Sequence, residues 1–124
     1  MPTLIPAPTT IPVPGGKVIS EYVGRVNTAT GALSVAHMVS PPGWDEPAQT
    51  PDFDEYTLVL RGAMRVSYDG GDIDVAKGQA IISHAGERVR YSTPGAEGCE
   101  YVAICLPAFA PETVHREDET DADS

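Results

Sequence analysis

Few side chains in this sequence could carry out chemistry, and they are widely spaced. His37 lies on a predicted strand and shares one strand face with Leu33, Val35 and Val39. A lone histidine on an apolar face is usually a packed, hydrogen-bonded core residue. If that face lines the interior of a barrel, however, His37 can donate and accept protons near neutral pH. We therefore keep His37 as a candidate catalytic residue.

Two arginines are candidates for binding an anionic ligand. Arg65 and Arg90 each lie on a predicted strand, and an inward-facing guanidinium would hold a carboxylate through two parallel hydrogen bonds. Outward-facing arginines are the commoner case on such strands. His84 and His115 form no metal-ligand spacing with His37, and the sequence contains no nucleophile motif or phosphate-binding loop.

Short strands joined by turns must position these residues. Alternating apolar and polar residues, with turn signals at 27–31 and 69–71, predict about eight antiparallel strands in a sandwich or barrel. The predicted strands are 17–26, 32–39, 54–60, 63–68, 72–75, 79–83, 88–92 and 99–106. A small helix or irregular segment is predicted within 107–116.

Composition limits the classes of partner. The chain has 124 residues, 41% of them hydrophobic, which suits one domain with one core. Its formal net charge of -10 would repel a phosphate backbone, so we expect no nucleic-acid partner. No apolar run approaches the roughly 18 residues of a membrane span. Cys99 and Cys105 lie roughly 20 Å apart on one predicted strand, too far for a disulfide, which suits reduced thiols and a cytoplasmic location.

The two ends differ from the middle of the chain. Residues 1–16 carry five prolines and form either a disordered leader or an arm that lies over its own barrel or over a partner subunit. Residues 17–116 form the single folded domain, and residues 117–124 are predicted to be a disordered acidic tail.

Two glycine-framed segments carry a family resemblance. The first runs through Glu55 to Gly62, and the second contains Gly78 and Gly86. Together they resemble the two motifs of the cupin family, whose jelly-roll barrels usually hold a divalent metal on three histidines and a glutamate. The resemblance covers residues 30–106 and implies an all-β double-stranded β-helix barrel. The surrounding residues are similar to those of small single-domain bacterial cupins related to the ethanolamine-utilisation cupins.

The resemblance retains the glutamate of the metal site without its histidines. Glu55 stands at the glutamate position, whereas the first two histidine positions fall within residues 48–51, which contain no histidine. Val89 stands where the third histidine belongs. In the family register Glu55 points into the barrel, where burial would raise its pKa toward that of a general base. The alternative is that Glu55 lies in water at the barrel mouth.

Two further residues gain candidate roles from the same register. Gln49 would point into the barrel mouth and bind a ligand through its amide, or it is an ordinary loop residue. Tyr91 lies two residues beyond Val89 and therefore on the same strand face, so it would donate its hydroxyl to a substrate oxygen, or it is a core aromatic.

Three functions remain open. The first is a metal-independent isomerase, epimerase or lyase that acts on a small polar metabolite, with Glu55 as acid/base and His37 or Tyr91 as its partner. The second is a non-catalytic small-molecule-binding or regulatory module. The third is a divalent-metal cupin with atypical ligands, for instance His37, Gln49, Glu55 and His84. We expect no cofactor, and the strands together with the apolar arm suggest a homodimer.

Overall fold

Within residues 1–117 the chain forms an antiparallel β-barrel and one short helix. The computed structural model describes residues 1–117, so the predicted acidic tail lies outside the described residues except for Glu117. The elements are β1 (Thr9–Ile11), β2 (Val18–Val23), β3 (Ser34–Ser40), β4 (Trp44–Asp45), β5 (Asp54–Tyr68), β6 (Gly71–Ala76), β7 (Ala80–Ser83), β8 (Val89–Thr93), β9 (Cys99–Leu106) and α1 (Pro111–Val114).

The strands form one curled sheet in the order β1-β2-β3-β9-β5-β8-β4, and β6 and β7 also pair with β5. Every pairing is antiparallel. The predicted all-β jelly-roll fold is therefore confirmed, as is the hairpin at 69–71, where Tyr68 pairs with Gly71.

Strand β5 corrects one prediction. The sequence predicts two strands separated by Arg61 and Gly62, but β5 continues through both residues. Its first half pairs with β7 and β9 and its second half with β6 and β8. A register shift between Val59 and Arg61 and a φ of 74° at Gly62 bend the strand between these partners. Any side chain at Gly62 would meet the backbone carbonyl of Gly98, so only glycine fits this position. Because β5 continues past it, Gly62 bends the strand and does not reverse the chain.

The proline-rich arm lies over its own barrel. Strand β1 pairs with β2, with Thr9 opposite Glu21 and Ile11 opposite Ile19. The side chain of Asn27 donates a hydrogen bond to the Ala7 carbonyl at 3.0 Å and so fastens the arm on the N-terminal side of β1. The proline-rich pattern concealed β1 from sequence reasoning, because three residues between prolines give no alternation to detect.

Two apolar clusters pack inside the barrel. The larger joins inward side chains of β4, β5, β6, β8 and β9, including Trp44, Val59 and Met64. The smaller lies near α1, where Phe53 and Phe109 pack edge to face with ring centroids 5.9 Å apart. As predicted, both cysteines are free thiols, and both are buried on β9. Within residues 1–117 no helix is long and apolar enough to cross a membrane.

Candidate functional site

A cavity of about 600 Å³ lies between the inward faces of β2, β3, β5, β8 and β9. Ile11 and Val13 of the arm form part of its wall. Most of the wall is apolar, and the charged side chains that line it include Lys17, Glu46, Glu55 and Arg116. A mostly apolar cavity with a few converging polar groups is the usual form of a small-molecule site.

The cavity exists because one row of the sheet consists of small residues. Ala103 pairs with Ala36 on one side and with Thr57 on the other, so the row crosses β3, β9 and β5. The next row along β3 and β9 contains the much larger Met38 and Tyr101. The small row leaves the centre of the barrel unfilled, and the large row bounds the space at one end.

A row of polar residues crosses the sheet on the other side of the small row. Ser34 pairs with Cys105, Cys105 with Glu55, and Glu55 with Ser83, and we call these four residues the polar row. Ser34, Cys105 and Ser83 are buried, and Glu55 is partly buried where it meets the cavity. The sheet register therefore positions Glu55 among small neutral groups, without a cation beside it in the row.

The environment of Glu55 shifts the pKa of its carboxyl group to near neutral pH. Burial raises the pKa of Glu55 to about 7, and the negative charge of Glu46 acts in the same direction. Lys17, Arg116 and the Cys105 thiol lower it by smaller amounts. A carboxyl group with this pKa is present in both protonation states at neutral pH, as a general acid or base requires.

Tyr91 lies beside the polar row. Its hydroxyl donates a 2.8 Å hydrogen bond to the Ser83 side chain, and the ring lines the cavity. Burial, followed by the charge of Glu55, raises the pKa of Tyr91 well above its ordinary value. Tyr91 is therefore a neutral hydrogen-bonding group across the physiological pH range.

Lys17 enters the cavity from the junction of the arm and β2. Its ammonium lies 4.2 Å from the ring centroid of Trp44 and 5.7 Å from that of Tyr101. Burial lowers the pKa of Lys17 and Arg116 adds to this effect, whereas Glu46 and Glu55 oppose it. Sequence reasoning missed Lys17, although a lysine at the end of a proline-rich arm in a chain with only two lysines was a usable signal.

Gln49 supports the cavity without lining it. Its side-chain oxygen accepts a 3.1 Å hydrogen bond from Arg116, whose guanidinium also lies 3.5 Å from Glu46. The Gln49 backbone is bridged to Val89 and Arg116. Gln49 is buried and does not itself line the cavity, whereas Arg116, which it holds, does.

The structure does not bring His37 to the cavity. Ala36 and Met38 face inward, so His37 between them faces outward. Its Nε2 lies 2.8 Å from a carboxylate oxygen of Glu100 on the outer surface of the barrel. The predicted pairing of His37 with Glu55 is therefore wrong, and the face shared with Val35 is the outer one.

Both candidate arginines also face outward. Arg65 forms two hydrogen bonds with Asp74, at 2.9 and 3.2 Å. Arg90 donates to the side chain of Asp45 at 2.6 Å and to the Glu46 carbonyl at 3.1 Å. Because their strand neighbours fill the barrel interior, neither guanidinium can reach a ligand in the cavity, and the predicted carboxylate clamp is not formed.

The residues around the cavity do not fit the metal cage of the resembled family. Val89 is packed in the core, and His84 lies in an exposed turn. His115 is paired with Asp52 at 2.8 Å. Across residues 1–117, no three His, Cys, Asp or Glu side chains come together as a metal site would require. The four-ligand alternative with His37, Gln49, Glu55 and His84 is therefore not assembled.

Comparison with known proteins agrees with this barrel. A family model for the cupin domain matches residues 36–105, and the chain belongs to the cupin family. The endoribonuclease YbeY of Myxococcus xanthus (strain DK1622) is 43% identical over 107 residues. These residues are 86% of this chain but only 36% of that protein, so the chain spans little more than a third of its length.

Two solved structures show the same fold at low sequence identity. A variant of Streptomyces PAC13 in which phenylalanine replaces a tyrosine, solved with uridine, is 12% identical to this chain with a TM-score of 0.70. The match covers 98% of this chain and 95% of that one. The EutQ protein of Clostridium difficile is 17% identical with a TM-score of 0.62, and the match covers 83% of this chain and 75% of that one. The predicted resemblance to small ethanolamine-utilisation-like cupins is confirmed at the level of fold and family.

Proposed function

We propose that this cupin is an enzyme that moves a proton on a small polar organic molecule, with Glu55 as the acid/base group. The observation that carries the proposal is the position of Glu55, which lines a cavity of about 600 Å³ with a pKa of about 7. A buried acid is unfavourable for folding, and such perturbed groups are concentrated at functional sites.

The reaction class follows from the groups that surround Glu55. Its carboxylate would take a proton from a carbon next to a substrate carbonyl, while the electron pair of the C–H bond forms a C=C bond and the carbonyl π electrons move to oxygen. The neutral Tyr91 hydroxyl, turned from Ser83 toward the cavity, would donate a hydrogen bond to that oxygen. Returning the proton to another position gives an isomerase or epimerase, and loss of a β-substituent gives a lyase.

The Streptomyces PAC13 structure, solved with uridine, supports an organic ligand for a small protein of this fold. A direct test is hydrogen exchange from deuterated water into candidate ligands, followed by proton NMR. We would use a panel of small ketones, ketoacids and nucleosides that includes pyruvate, dihydroxyacetone and uridine. We expect exchange with at least one compound, and we expect Glu55→Gln to abolish it while Glu97→Gln, a change at an exposed turn, leaves it intact. Full exchange in Glu55→Gln would refute the role of Glu55.

A non-catalytic binding module is the second candidate. It is favoured by the match to about a third of a longer protein, which places a related sequence inside a larger chain. Such a module would show saturable thermal stabilisation by one compound of the panel without exchange or product. The same panel therefore separates the two functions.

A metal cupin with atypical ligands, the third function considered from the sequence, has no supporting group of three His, Cys, Asp or Glu side chains within residues 1–117. Elemental analysis of protein purified without chelators tests it directly, because a stoichiometric transition metal would support it and a metal content below one tenth of the protein would refute it.

The outer face of the barrel supports the proposal of a homodimer. Tyr56 and Leu58 on β5, Ile82 on β7 and Leu106 on β9 are exposed apolar side chains on this face. Adjacent exposed apolar groups of this kind mark association sites. Sedimentation of the wild type should show a dimer that Leu58→Lys weakens, and a wild-type monomer at micromolar concentration would refute the dimer. The free thiols of Cys99 and Cys105 support a cytoplasmic location.

A further inference from the structure

We propose that Lys17 is a nucleophile that forms an imine with the carbonyl group of a small aldehyde or ketone bound in the cavity. This inference deepens the proposed function, because it takes the same cavity as the site and names the substrate class as carbonyl compounds. The proposed function assigns a proton transfer to Glu55, whereas this inference assigns the formation of a covalent bond to Lys17.

The two lysines of the chain lie in contrasting surroundings. Lys77 is exposed in the turn between β6 and β7, whereas Lys17 is partly buried and lines the cavity. The Lys17 amine lies over the rings of Trp44 and Tyr101. Within residues 1–117 none of the ion pairs includes Lys17, and its amine is held at the cavity by contact with the two aromatic rings.

The surroundings of Lys17 are those of reactive lysines. An amine becomes nucleophilic when it loses its proton, and an apolar site or a neighbouring cation promotes that loss. Lys17 has both features, because burial lowers its pKa and the positive charge of Arg116 acts in the same direction. Glu46 and Glu55 oppose the effect without reversing it.

Imine formation at this site requires no external reagent. The amine lone pair attacks the carbonyl carbon, forming a C–N bond while the π electrons move to oxygen. A proton passes from nitrogen to that oxygen, with Glu55 in the same cavity as carrier, and a second proton from Glu55 lets the oxygen leave as water. The resulting iminium acidifies the neighbouring C–H bond, so Glu55 can take that proton more readily than from the free ketone. Glu55 then returns the proton to carbon and so restores the iminium, and hydrolysis with one water regenerates the Lys17 amine and releases the product.

The experiment is reductive trapping of the full chain with acetaldehyde and cyanoborohydride near neutral pH. Acetaldehyde is small and neutral, so it reaches every accessible amine, and peptide mapping by mass spectrometry then measures each site separately. We expect Lys17 to be labelled several-fold faster than Lys77, because a lowered pKa leaves a larger fraction of the Lys17 amine unprotonated. The terminal α-amine is counted as a third site.

Wild-type protein alone decides the proposal, so it does not depend on a variant that folds. Labelling of Lys17 at or below the rate of Lys77 would overturn it. Lys77→Arg is the matched control and should leave the Lys17 rate unchanged, while Lys17→Arg should remove the fast adduct.

The outcome is distinguishable from failure of the proposed function. If Glu55→Gln loses proton exchange while Lys17 shows no preferential labelling, the imine is refuted and the role of Glu55 stands. If Lys17 is labelled preferentially in both wild type and Glu55→Gln, and both exchange deuterium equally, the imine proposal stands and the role of Glu55 fails.

Discussion

Replacing Glu55 by glutamine should make the protein more stable at alkaline pH. The folded chain holds the Glu55 proton up to a pKa of about 7, whereas the unfolded chain releases it near the ordinary value of 4.5. Between these values the folded state binds more protons, so the free energy of unfolding of the wild type falls as pH rises. Glutamine is similar in size and does not titrate, so the free energy of unfolding of the variant does not fall with pH in this way.

The magnitude follows from the difference between the two pKa values. At 1.36 kcal/mol per pKa unit, the wild type loses about 3 kcal/mol when pH rises through both values. Roughly 2 kcal/mol of that loss falls between about pH 5.5 and about pH 9, which is an accessible range above the acidic isoelectric point. The stability of Glu55→Gln relative to wild type should therefore rise by about 2 kcal/mol across this range.

Urea unfolding at several pH values measures this difference in stability. The fluorescence of Trp44, the single tryptophan, reports unfolding because Trp44 lies on the cavity wall. Glu97→Gln removes one charge at an exposed turn and corrects for the change in net charge. If the stability difference between Glu55→Gln and wild type were constant with pH, Glu55 would be ordinarily solvated and the basis of the proposed function would fail.

Three further changes test the architecture. Gly62→Ala should lower the free energy of unfolding in urea by about 2 kcal/mol or more, because the added methyl group meets the Gly98 backbone. Gly86 also has a positive φ but lies in open space, so Gly86→Ala should cost only about 1 kcal/mol. Equal losses in the two variants would contradict the bend at Gly62. Tyr91→Phe should cost about 1 kcal/mol through loss of its buried hydrogen bond, and no loss in urea unfolding would contradict that bond. Ala103→Leu should fill the cavity and abolish ligand-induced thermal stabilisation with the fold retained, and undiminished stabilisation would place the ligand elsewhere.

Most of the fold could be predicted because turns and strand alternation are local signals. Glycine and aspartate at 69–71 fixed one hairpin, and alternation located β2, β3 and β9 within a few residues of their bounds. The two-residue strand β4 is too short to alternate. The bend in β5 resembles a turn in sequence, because a glycine with positive φ serves either purpose.

The site was predictable only where one motif carried it. Glu55 and Tyr91 follow from spacing within the two family motifs and do line the cavity. Lys17 and Arg116 come from opposite ends of the folded domain, so no local pattern joins them. His37 was instead placed on the wrong face of its strand. Strand β3 is apolar on both faces, and the bulkier Val35 and Val39 lie outside whereas Ala36 lies inside. Hydrophobicity alone could not assign its faces.

The continuity of β5 couples the cavity to the rest of the barrel in a way that hydrogen exchange can detect. Four strands are hydrogen-bonded to this single strand, and Glu55 and Tyr68 lie toward its opposite ends. One unbroken backbone carries the partners of both halves, so we expect the halves to open together and the amide protons of β5 to exchange through global unfolding. A ligand held at Glu55 would therefore protect amides near Tyr68 as strongly as those beside it.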